Sequence, residues 1–402
     1  MSTVTAVRPK TLAWPITRMD VAGAFGDIGV LFPIAIALIS LNRLNPTAVF
    51  LAAGLTYVLA GLYFQIPISV QPLKAVAAIA LAMGLPPSAI ASAGVLMGIL
   101  LALVGITNSA VWLAKLFTLP IVRGIQLGLG LLLAREGFRL IFKQQPGFVL
   151  SNGISVSGWE IALAAALMML ACRMSKRYPA ALVLLIAGLG LGLLTQWGKL
   201  NWVWGPVPLD FLHPHMDEMW RVLPLLVIPQ FALTFGNSIV ATENTAQILY
   251  GPQARRVTIR GLSLSIALVN LVSGFIQATP MCHGSGGITA HNKFGARSPI
   301  SSYIIGGVCL VLAFLGRAAT SVLHLIPLAI LGTFMVYVGF QHAAYLRDIL
   351  KRFPLLLIAV CVGVVSLVTT NLMWGFLAGF AVQGILLAFE KIKHKTRTAL
   401  EQ

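Results

Sequence analysis

Charge is scarce in this sequence. Of 402 residues, 10% are Asp, Glu, Lys or Arg, where a soluble domain carries about a quarter. Only 11 are acidic against 28 basic, a net charge of +17. Most of the surface must therefore face something other than water. Long polar intervals are missing too. The longest, from about Gln196 to Arg221, has the length of a loop and leaves no room for a second, soluble domain. Cysteine is limited to Cys172, Cys282, Cys309 and Cys361 without paired spacing, so neither a disulfide framework nor a metal knuckle is expected. Long basic tracts with interleaved aromatics are absent, which sets nucleic acid aside. So are His-Glu-x-x-His, Gly-x-Ser-x-Gly, P-loop and Cys-x-x-Cys motifs. No enzyme, cofactor or metal site is expected, and His213 and His215 read as part of a solvated turn.

What is present is apolar length. Hydrophobic residues make up 58% of the chain, with a mean hydropathy of +0.90. A helix needs about 20 apolar residues to cross a bilayer core. On that measure the expected spans are 21–41, 47–65, 72–84, 87–107, 111–134, 156–172, 178–196, 222–250, 257–277, 285–297, 299–317, 320–340, 353–369 and 371–390. The chain thus reads as an all-α, polytopic membrane protein of fourteen spans. The third and tenth, 72–84 and 285–297, are too short to cross alone. Each follows an extended stretch containing proline, Ile66–Pro72 and Ala278–Gly284, and proline disfavours helix at the residue before it. Both read as half-helices.

Basic residues fall in the short segments between apolar runs and concentrate on one side of the fourteen-span reading, as the positive-inside rule requires. That places both termini in the cytosol and the protein in the cell inner (plasma) membrane. Residues 1–20 form a cytosolic tail with no cleavable signal pattern. Residues 21–196 and 222–390 form two halves, 197–221 an extracytoplasmic loop and 391–402 a second cytosolic tail.

The halves echo each other. Ala24-Phe25-Gly26-Asp27-Ile28 returns as Thr234-Phe235-Gly236-Asn237-Ser238, 210 residues on. Pro67-Ile68-Ser69 and Leu119-Pro120 return near Pro280 and Ile326-Pro327 at similar offsets. Seven spans per half would turn the second half upside down relative to the first, the inverted repeat of secondary transporters.

Paired broken helices point to a binding site. Their N-termini carry free N–H groups and the positive end of the helix dipole, so an anion is the expected occupant. The substrate-binding candidates are Ser69, Gln71 and Lys74 at the first start, His283, Ser285, Gly286 and Gly287 at the second, and Asn237. Lys74, a cation inside a span, is functional by default; it would neutralise the substrate or pair with Asp27. His283 would donate to an oxyanion, titrate or cap its helix. Asp27 and Glu243 lie deep in apolar runs. An ionised carboxylate there would repel an anion and a protonated one would not, which makes both candidates for proton coupling.

At these residues the chain resembles the molybdate transporter family, a branch related to sulfate permeases. The resemblance rests on Gly23–Gly29, on Ile68–Lys74, and on Pro280–Gly287 with Phe294–Arg297, and covers nearly the whole chain. It implies a seven-plus-seven inverted repeat divided into core and gate domains, an anion bound between the third and tenth spans, and elevator-like movement of the core. Homodimerisation through gate helices is a further expectation. The function expected is proton-coupled import of molybdate, with tungstate and sulfate as chemically similar ions. The alternatives are a sulfate or nucleobase carrier of the same fold and, more remotely, an anion channel.

Overall fold

The computed structural model describes residues 15–107, 109, 118–142, 148–149, 155–175, 180–196, 203–213 and 215–400. The first half builds α1 (Arg18–Ala24), α2 (Ile28–Asn42), α3 (Pro46–Phe64), strand β1 (Gln71–Pro72), α4 (Lys74–Met83), α5 (Pro87–Thr107) and α6 (Leu119–Phe142). Strands β2 (Phe148–Val149) and β3 (Ser155–Val156) precede α7 (Gly158–Ser175) and α8 (Ala180–Gln196). The second half builds α9 (Met216–Val222), α10 (Ile228–Leu233) and α11 (Ala241–Tyr250), joined end to end by π-helical turns at Leu223–Val227 and Thr234–Val240. Then come α12 (Ile259–Phe275), β4 (Met281–Cys282), α13 (Ser285–Lys293), α14 (Ile300–Phe314), α15 (Gly316–Leu323), α16 (Leu328–Ala343), a 3-10 turn (Ala344–Asp348), α17 (Phe353–Thr369) and α18 (Leu372–Leu400).

Local sequence sets the ends. The Asn45 side chain accepts the Ala48 N–H, Pro46 occupies the first turn of α3, and Gln65 closes the helix at φ 58°. Among the described residues, six helices are long and apolar enough to cross a membrane: Arg18–Asn42, Pro46–Phe64, Pro87–Thr107, Met216–Arg256, Leu328–Asp348 and Leu372–Phe389. A seventh is added if Ile300–Phe314 and Gly316–Leu323 count as one span.

The structure corrects several sequence expectations. The first span is interrupted at residues 25–27, where Gly26 lies so close to the α13 backbone that a Cβ would sit 2.8 Å from Ala290 C. The fifth runs to Phe142 instead of ending at residue 134, because Arg135 and Arg139 find partners in Thr370 and Glu136; residues 111–117 lie outside the described residues. Span 299–317 is not one helix. The chain bends by 98° after Phe314, and Gly316 packs directly on Thr47 with no room for a side chain. The loop expected over 197–221 already turns helical at Met216. The helix starting at Leu372 continues to Leu400, through the expected tail. Four short strands qualify the all-α expectation.

Helix pairing is ordered. α6 packs on α16, α5 on α12, α3 on α14, and α17 on α6 and α18. Helices starting at Pro46, Lys74, Pro87 and Leu119 have counterparts starting at Ile259, Ser285, Ile300 and Leu328, that is 209 to 213 residues on. Under that shift the α5–α12 pair becomes α14–α3, whereas α6–α16 and β1–β4 are pairs of direct counterparts. Small residues allow the close crossings. A Cβ on Gly130 would lie 2.5 Å from the Gly339 carbonyl oxygen, and one on Gly137 equally close to that of Gly332.

Candidate functional site

The two interrupted segments meet. β1 and β4 pair antiparallel, Gln71 opposite Cys282 and Pro72 opposite Met281. The Leu73 N–H donates to Pro280 O at 2.8 Å. Pro72 and Pro280 have no N–H, so the pairing stays short. Asn270 fixes β4 by accepting the Met281 N–H at 3.0 Å and donating to Met281 O at 2.8 Å. Because the strands are antiparallel, α4 and α13 leave this crossing in opposite directions, each with its N-terminus at the middle.

Polar side chains bind the crossing to the repeated Phe-Gly-Asp and Phe-Gly-Asn elements. Gln71 Nε2 donates to Asp27 Oδ1 at 2.6 Å. Ser285 Oγ donates to Asn237 Oδ1 at 2.9 Å. Asp27 and Asn237 are repeat counterparts, so each half ties its own half-helix start to its own motif. The first tie ends on a carboxyl oxygen and the second on an amide oxygen. Asp27 Oδ2 and Gln71 Oε1 are buried without a hydrogen-bond partner among the described residues.

Beside the crossing lies a cavity of about 530 Å³. One wall carries Asp27, Gln71, Lys74 and Gly286; the other is a face of α16 and the turn after it, with Tyr337, Gln341, His342 and Tyr345. Lys74 and His342 also line a much smaller chamber of about 20 Å³, with Gln126, Gln230, Asn237 and Ser238. Among the described residues the ion pairs are Arg123–Asp348 and Arg139–Glu136, so Lys74 and Asp27 form none. The Lys74 side chain is half-buried and in contact with both cavities.

Not every sequence candidate reaches this space. Ser69 is fully buried and donates to Gly284 O at 2.7 Å. His283 is a strut. Its Nδ1 donates to Ser69 O at 2.8 Å, its Nε2 meets Ser265 Oγ at 2.9 Å, and its carbonyl accepts from Thr242. With Nδ1 protonated, Nε2 is left to accept the Ser265 hydroxyl proton. Gly287 is a close-packing point outside the cavity lining: a Cβ there would strike Ser69, Asp27 Oδ2 and Gln71 Nε2. Gly286 differs, being exposed to the cavity with Tyr345 Oη the nearest neighbour at 3.9 Å from its Cβ position. Glu243 lies elsewhere. Its Oε1 accepts the Ile259 N–H at 3.1 Å and caps α12.

Gln230, Gln126, Tyr337, Gln341, His342 and Tyr345 escaped the sequence reading. The α16 face has a helical signature, since residues 337, 341 and 345 recur every four positions. Nothing in the apolar run Leu328–Phe340 marks the side that meets the cavity. Arg123 braces this wall, lying 5.4 Å over the Tyr345 ring while pairing with Asp348.

Comparison with known proteins bears on this arrangement. Molybdate transporter 2 of Arabidopsis thaliana is 27% identical over 407 residues, covering 91% of this chain and 87% of the relative. Molybdate transporter 1 of Chlamydomonas reinhardtii is 24% identical, covering 93% and 92%. In fold, the chain is similar to the transmembrane domain of the cyanobacterial bicarbonate transporter BicA, with a TM-score of 0.65, 17% identity and coverage of 90% and 97%. It is also similar to the murine anion transporter Slc26a9 in its inward-facing state, with a TM-score of 0.66, 16% identity and coverage of 94% and 70%. The family model described as "Molybdate transporter of MFS superfamily" matches residues 19–133 and 223–341. That match takes in both half-helices and more than half of the sequence, and the chain belongs to this family of multi-pass membrane transporters.

Proposed function

We propose that the chain is a secondary carrier that imports molybdate, held as a tetrahedral dianion between α4 and α13. The observation that carries this reading is the shared cavity: the glycine-opened tip of α13 and the Lys74 side chain line one space. An oxyanion there receives backbone N–H donors at a positive helix end and a cation from the opposite half-helix. The named relatives support molybdate as the ion. The layout we propose is fourteen membrane segments in two inverted sets of seven. The segments around the half-helices move as an elevator core against a gate of α6, α16, α17 and α18, which also forms the dimer contact. Import is proton-coupled, the site is the plasma membrane, and both termini face the cytosol.

Purified protein in liposomes tests this. Uptake of molybdate should saturate, tungstate should compete nearly as well as molybdate itself, and uracil and xanthine should not compete. Competition by a nucleobase, or conductance on the scale of a channel, would overturn the proposal. Stronger competition by sulfate than by tungstate would move the substrate to sulfate.

A further inference from the structure

One polar group on the α16 wall has an orientation fixed by its own backbone. His342 Nδ1 lies 2.9 Å from Val338 O, one helical turn back. A carbonyl can only accept, so Nδ1 carries a proton. The tautomer is thereby set, and Nε2 is the nitrogen left for the cavity. The residue is buried to 8% exposure and borders both the wide cavity and the small chamber, as Lys74 does. A neutral His342 turns a lone pair toward a bound oxyanion. A protonated one turns an N–H donor and a positive charge toward it.

We propose that His342 is the proton-dependent anion contact of this carrier, an inference that rests on the oxyanion reading above. The imidazole takes one proton from water in the cavity, and Nε2–H then donates to an anion oxygen opposite Lys74. Loss of that proton replaces a donor by a lone pair and releases the anion. One proton thus accompanies one dianion, without participation of Glu243, which caps a helix away from the cavity. The other ionisable groups around the ring are Lys74 on α4, Lys293 at the far end of α13, Asp27 ahead of α2, Cys282 on β4 and Cys172 on α7. Tyr345 stands edge-on at 6.0 Å and Tyr337 shares its helix; Arg123 on α6 is engaged by Asp348 and Tyr345. Of these, Lys74 opposes protonation of His342 in the empty site. A dianion between the two relieves that repulsion, so binding and protonation assist each other.

The test is equilibrium molybdate binding and liposome uptake at fixed internal pH. In the wild type, apparent affinity should fall roughly tenfold or more from pH 6 to pH 8, because each bound dianion draws one proton onto the ring. His342→Gln, whose amide keeps a donor at every pH, should bind molybdate with less than about a twofold change over that range. Glu243→Gln should retain the wild-type slope. A wild-type slope in His342→Gln, or no slope in the wild type, overturns the inference. Should His342→Gln fail to fold, the imidazole NMR titration of His342 in the wild type replaces it. Molybdate should raise its midpoint, and an unmoved midpoint overturns the inference. A wild type that neither binds nor transports molybdate at any pH defeats the carrier proposal instead.

Discussion

The two half-helix tips occupy matching positions in the repeat and differ in chemistry. At α4 the tip is already occupied by the protein: Gln230 Oε1 accepts the Ala75 N–H at 2.8 Å and the Val76 N–H at 3.3 Å. Gln230 is held in turn by donating to Thr234 Oγ1 at 2.9 Å. The α13 tip carries no such side-chain cap, and Gly286 opens it to the cavity. A symmetric pair of dipoles is therefore not what faces the cavity. The first tip contributes a lysine side chain and the second contributes backbone. The difference teaches that matching segments can fix where a cavity lies, whereas single side chains decide which tip stays open to it.

If the α4 tip acts only through its cation, that cation is irreplaceable. Lys74→Met should remove a charge-assisted hydrogen bond of about 3 kcal/mol and weaken molybdate binding roughly 100-fold. Titration of the purified variant measures this, and a loss below about threefold would mean that the α4 backbone still serves the anion despite Gln230.

Two neighbouring glycines probe the α13 tip. Gly287→Ala drives a methyl into Ser69, Asp27 and Gln71, and overpacking of this kind costs about 1–3 kcal/mol. The thermal midpoint in detergent should drop and uptake should fall with it. Gly286→Ala meets open space and should change stability by less than about 0.5 kcal/mol. Equal midpoints for the two variants would show that the close approach at Gly287 is not under constraint.

The smallest effect concerns the plug. Gln230→Ala leaves two α4 amides without their acceptor, a loss comparable to that of a helix cap, about 1–2 kcal/mol. The protein should be less stable without anion and regain part of the deficit when molybdate is added. A variant as stable as the parent, with no added response to molybdate, would remove Gln230 from the account and make the two tips equivalent again.

Much of the site's address was legible before any coordinates. The proline-broken stretches Ile66–Pro72 and Ala278–Gly284 do form the paired crossing, and Asp27, Gln71, Lys74 and Gly286 do share a cavity. Other residues expected at the site do not line this cavity, because sequence cannot distinguish a polar group facing a ligand from one facing another loop. Ser69 spends its hydroxyl proton on Gly284 O, and His283 spends its ring nitrogens on Ser69 O and Ser265 Oγ. Gly287 owes its identity to a close contact and Glu243 to a helix cap.

Composition alone determined that the chain belongs in a bilayer, since so few charges over so many apolar runs cannot coat a water-soluble surface. Proline and repeat spacing determined the two breaks that pair at the crossing. Only the tertiary structure decided that Gln230 closes one tip and that the α16 face of Tyr337, Gln341 and His342 completes the cavity. The physical reason is distance along the chain. Ala75 and its acceptor are 155 residues apart, and a contact of that separation leaves no periodic trace in the local sequence. It exists only once the two halves have packed.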